Sequence, residues 1–108
     1  MTTHAHHAGE FGNSRHAASR LVASNASKKA YVASVKVKKT KTAEKSVSAN
    51  DKAAHAHDRA AKLHHEVMMI AKELGNKESA KHHQDTMEKH QKIADAHRSA
   101  SAKQGGKK

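Results

Sequence analysis

Positions 53, 56, 60, 63, 67, 70 and 74 read Ala, Ala, Ala, Leu, Val, Ile and Leu, an unbroken alternation of three- and four-residue steps. That period paints one stripe along an α-helix and has no counterpart on a strand, where neighbours two apart share a face. A second stripe follows at 80, 83, 87, 90, 94, 97 and 101, reading Ala, His, Met, His, Ala, His and Ser, with Ile93 and Ala100 widening it. Gly75 and Asn76, between the stripes, are the residues that most readily take the left-handed conformation ending a helix. The pattern predicts helices over about 49–74 and 77–102, with Ser48 and Asp51 resembling a capping box at the first. Acid-first pairs four apart, such as Asp58 with Lys62 and Glu88 with Lys92, favour the same assignment.

A link this short folds the second helix back on the first. The expected module is an antiparallel αα-hairpin over 47–102. Its seam is Ala53, Ala56, Ala60, Leu63, Val67, Ile70 and Leu74 on one helix, and Ala80, His83, Met87, His90, Ala94 and His97 on the other. More than half of the hydrophobic residues in this chain are alanine, and aromatic content is 2%, so no thick core, sandwich or aromatic-lined pocket is expected.

His83, His90 and His97 stand seven apart in a column that leucine usually fills. Alanine opposite them lets two helices approach closely, and an imidazole is flat enough to lie over small neighbours while its nitrogens bond to backbone or water. A turn centred near residue 76 or 77 sets His64 opposite His90 and His57 opposite His97. In a second reading the column faces outward and stacks on another subunit, as a contact that protonation weakens. Helical metal sites use ligands three or four apart, a spacing no two histidines of these helices have, and ligands seven apart lie about 10 Å apart along the axis. We therefore expect no metal site. With no glycine-rich phosphate loop, nucleophile elbow or isolated carboxylate pair, we expect no catalytic residue and no cofactor, and read the chain as a non-enzyme.

Charge is unevenly placed. Residues 1–46, 47–102 and 103–108 carry +7, +1 and +3 of the net +11. Lys28, Lys29, Lys36, Lys38, Lys39, Lys41 and Lys45, with Lys107 and Lys108, are the expected contacts to a polyanion or an acidic protein surface. Residues 1–46 read as a basic arm, extended or ordered by a partner, with weak helix signals only over about 14–24. Residues 103–108 read as a flexible basic tail. Within the arm, "AYVASVKVKKTKT" alternates valine with lysine and predicts a short strand over 30–40 that pairs with the sheet edge of a partner. No apolar run reaches the ~20 residues that span a bilayer, so no membrane role is expected and a soluble, cytoplasmic site of synthesis is.

"AAHAHDRAAKLHHE" and "KHQKIADAHRSA" resemble the Ala/His-rich helical segments of small uncharacterised bacterial proteins and of head-associated proteins of tailed bacteriophages. The resemblance covers about residues 49–100 and carries over no functional residue. It implies a structural or cementing component of a phage-like virion, present in many copies and lacing onto shell or capsid-type subunits through the arm. The alternative reading is a protein that binds DNA or RNA without base specificity through the lysines.

Overall fold

A computed structural model describes residues 2–105, with side chains over 14–104. Three helices account for nearly all of it: α1 Thr2–Lys38, α2 Ala43–Glu73 and α3 Lys77–Gly105. The all-helical class holds, and no strand is present among the described residues. Cross-helix pairs fix the topology. His16 meets Ser79, Ser27 meets His90 and Ser34 meets His97, so α1 and α3 run in the same direction. His57 meets His90 and His64 meets His83, so α2 runs against both. The result is an up-down-up bundle, a rod of 70 × 17 × 14 Å.

The extended arm is not found. Residues 30–38 form the last turns of α1, and the strand expected over 30–40 has no counterpart. An isolated strand leaves its backbone groups unpaired, whereas a helix satisfies them internally and lets Ala23, Ala26 and Ala30 bury against α2. On a helix, residues two apart lie about 200° apart. Accordingly Val35 is exposed while Val37 is half-buried, and the alternation that suggests a strand is incidental.

The helix ends follow local chemistry. Thr42, extended at φ −119° and ψ 153°, accepts the Lys45 N–H at 3.2 Å and caps α2, with Glu44 in the first turn. This cap starts α2 ahead of the expected Ser48 and Asp51, which lie inside the helix. At the other end Gly75 has φ +74°. Its N–H reaches Lys72 O at 3.0 Å and the Asn76 N–H reaches Ala71 O at 2.8 Å, the paired bonds of a Schellman ending. Asn76 Oδ1 then accepts the Ser79 N–H at 3.1 Å, so the residue that closes α2 also caps α3.

Packing is thin and uneven. Ala26, Ala30 and Ala60 form one small apolar cluster between α1 and α2, flanked by Ala56 and Leu63. Met68, Ala71 and Ala80 form another beside the α2–α3 turn. The bulkiest fully buried side chains are His57, His90 and Val67, so imidazole fills the space that leucine and phenylalanine take elsewhere. Close approach at alanine leaves a central gap that rings from α2 and α3, closed by serines from α1, occupy.

Candidate functional site: a buried histidine–serine chain

Of the expected seam, Ala53, Ala60, Val67, Ile70, Ala80, His83, His90 and Ala94 are buried, Ala56, Leu63, Met87 and His97 are half-buried, and Leu74 is exposed. The buried face of α2 is wider than one stripe because it meets two helices. Ala54, His57, Ala61, His64, Met68 and Ala71 are buried as well.

The histidines interleave. His90 sits between two positions of α2, stacking on His64 and hydrogen-bonding to His57, whereas His97 stacks on His57 and bonds to Asn50, and His83 both stacks on and bonds to His64. His57 stacks on His97 at a centroid separation of 5.8 Å, and His64 on His90 at 5.7 Å, the pairs expected from the turn. The hydrogen bonds are shifted by one heptad: His57 Nδ1 to His90 Nδ1 at 2.7 Å and His64 Nδ1 to His83 Nδ1 at 2.8 Å. The remaining ring nitrogens, His83 Nε2 apart, meet side chains of α1 and α2. Ser27 Oγ bridges His64 Nε2 and His90 Nε2 at 2.8 and 2.9 Å. Ser34 Oγ bridges His57 Nε2 and His97 Nε2 at 2.7 and 2.8 Å. Tyr31 covers the middle, its ring 5.3 Å from both His57 and His90.

These bonds join into one chain whose proton positions are determined by its end. Asn50 Nδ2 donates to the Ser46 carbonyl at 2.9 Å, so Asn50 Oδ1 must accept from His97 Nδ1 at 2.8 Å. A neutral imidazole has one donor and one acceptor, and a hydroxyl has one proton. His97 Nε2 therefore accepts from Ser34, which accepts from His57, which accepts from His90. The same rule carries on through Ser27 and His64 to His83. Every donor points from His83 toward Asn50, and all five rings are neutral. His83 Nε2 is left as the one ring nitrogen of the chain without a hydrogen-bond partner among the described residues.

Burial sets the protonation chemistry. Desolvation, with the neighbouring rings His90 and His82, holds His64 down to about 4 from the ordinary 6.5. Desolvation and the His57 ring hold His90 down to about 4. His83 is likewise held down to about 4, first by desolvation, then by His64, His82, Arg20 and His16. Desolvation also lowers His16, His57 and His97. Among the described residues no group of three or more potential ligands is placed to hold a metal ion, since each ring nitrogen of the chain that has a partner faces a serine, an asparagine or one other ring.

The expected polyanion contacts Lys28, Lys29, Lys36 and Lys38 lie exposed on α1, Lys39 and Lys41 in the turn, and Lys45 at the start of α2. Lys107 and Lys108 lie outside the described residues. No described helix is long and apolar enough to cross a membrane. Ser27, Ser34, Tyr31 and Asn50 are the participants that sequence reasoning missed. The signal available was the seven-residue spacing of Ser27 and Ser34, which matches that of the histidines.

Fold and site together define a class: an all-α three-helix rod with a polar, hydrogen-bonded spine in place of an apolar core. No protein-family model, curated protein or solved structure matches the chain.

Proposed function

We propose that the chain is a non-enzymatic structural component of a larger assembly, a preformed rod that docks through its lysine-bearing end. The observation that carries this reading is the division of the molecule. Its buried polar groups satisfy one another, with Gln104 Oε1 the one buried side-chain polar atom lacking a partner among the described residues. Meanwhile the stretch 28–45 carries seven lysines against Glu44 alone. A self-contained interior and a charged end suit docking, not turnover. Because α1 is helical and packed, the lysines form a rigid contact surface and not a lacing arm. A phage-like virion, with many copies on a shell or capsid-type protein, is the setting that the Ala/His-rich helices favour. Stoichiometric copurification with a shell protein supports this role, and absence from purified particles rejects it.

The same lysines support the second reading, DNA or RNA binding without base specificity. Neutralising around six phosphates gives a slope of log K against log salt near roughly −5 on duplex DNA. A flat response, or no binding near 50 mM salt, rejects it.

A further inference from the structure

A groove of about 450 Å³ opens between α1 and α3, lined in part by Arg20, Ser24, Ser27, His82, His83 and Thr86. It meets the end of the histidine chain: Ser27, His64 and His83 all line it. A larger groove of about 620 Å³ between α1 and α2 touches none of the chain. The smaller one is lined by Arg20 and three histidines and by no carboxylate. Arg20 forms no ion pair among the described residues.

We infer that this groove binds an oxyanion of the phosphate class, held by the Arg20 guanidinium, and that binding is coupled to uptake of one proton at His83 Nε2. The donor geometry explains why the proton enters there. Adding one to any other ring of the neutral chain sets two donors against each other. At His83 Nε2 the lone pair is free, and the resulting imidazolium donates into the groove while Nδ1 still donates to His64. The charge then has room to spread. Passing the Nδ1 proton to His64 and reversing each link in turn leaves the excess proton on His64, His90, His57 or His97 with every hydrogen bond remade. The chain thus stores one proton without losing a bond, and a second breaks one.

What opposes that first proton is burial first and then the surrounding field. His83 faces His16 and Arg20 on α1, His64 on α2 and its neighbour His82 on α3, all neutral or positive. An anion beside Arg20 reverses that field and raises the proton affinity of His83. By linkage the anion must then bind more tightly as pH falls. The chemistry fits a free phosphate or a backbone phosphate of nucleic acid equally, and the inference does not depend on the lysine-bearing end.

The test uses the full chain, with calorimetry and side-chain 15N spectra. Sulfate, which does not titrate in this range, serves for the proton count, with inorganic phosphate and a short single-stranded oligonucleotide as the two phosphate sources. Expected is one sulfate per chain, affinity rising several-fold from pH 7.5 to 6, a net proton uptake that grows toward one as pH falls, and protonation of His83 Nε2 on binding. Arg20 is exposed, so Arg20→Gln leaves the helical signal unchanged while cutting affinity roughly tenfold or more. The control pair Lys28→Gln/Lys29→Gln leaves it unchanged. Arg20-dependent binding of phosphate alone identifies a small-ion site, and Arg20-dependent binding of the oligonucleotide identifies a backbone contact. Absence of binding, equal losses in the arginine and lysine variants, or binding without proton uptake overturns the inference.

Discussion

The two parts of the α2–α3 interface are built from different materials. Beside the turn, Met68, Ala71 and Ala80 form an ordinary aliphatic contact, non-directional and indifferent to pH. Further along, His57, His64, His83, His90 and His97 fill the same kind of space with rings whose every bond has a direction. An aliphatic seam tolerates sliding, because one methyl group replaces another. In the histidine seam a slip of one heptad strands the groups at the ends of the chain and a slip of one helical turn strands every ring, so polar packing specifies register at the expense of sensitivity to acid.

Acid is the strongest way to break that contrast. The chain imidazoles have folded values below the unfolded 6.5. Their contribution to stability is full above about pH 6.5 and is lost as pH falls from there, toward about 4 for His64, His83 and His90, by at most about 1.4 kcal/mol per pH unit for each ring. Urea midpoints across this interval should fall slowly while the first proton is accommodated and steeply afterwards. A constant midpoint from pH 7 to 4.5 refutes the buried neutral chain. Next in size is His90→Ala, which removes a fully buried ring and orphans both its partners. It should cost about 3–5 kcal/mol at pH 7.5. Met68→Ala, in the aliphatic part, should cost about 2–4 kcal/mol and shift the curve equally at every pH. A pH-dependent penalty there contradicts the division. Ser34→Ala leaves the His57 donor without its acceptor and should cost about 1–3 kcal/mol, with spectroscopic changes at His57 and His97. The smallest effect, about 1 kcal/mol, belongs to Gly75→Ala. A Cβ there meets no atom within 4 Å, so the cost is that of left-handed backbone alone.

The same contrast explains what could be read from the sequence. The stripes of α2 and α3 were legible because Leu63, Val67 and Ile70 anchor a recognisable period and Gly75 marks its end. Helix α1 was hidden because its apolarity is inverted. Leu21, Val22, Val32 and Val35 are exposed, at 63, 49, 54 and 49%, while its buried face is His16, Ala23, Ala26 and Ala30. A periodicity search weighted by hydropathy sees little there, and the Val-Lys alternation then imitates a strand. The stacked histidine pairs follow from the turn, but their hydrogen bonds lie one heptad away, since spacing alone does not tell stacking from hydrogen bonding. The serines were missed because a small hydroxyl gains meaning only when two ring nitrogens converge on it.

Asn50 has a reach out of proportion to its size. Because its amide can face only one way, His83, His90 and His97 all carry their proton on Nδ1, and His57 and His64 carry theirs on Nε2. One amino acid is thereby sorted into two tautomeric species according to the helix it stands on. A single carboxamide thus polarises a column roughly 20 Å long, giving the rod a head and a tail that its repetitive spacing conceals.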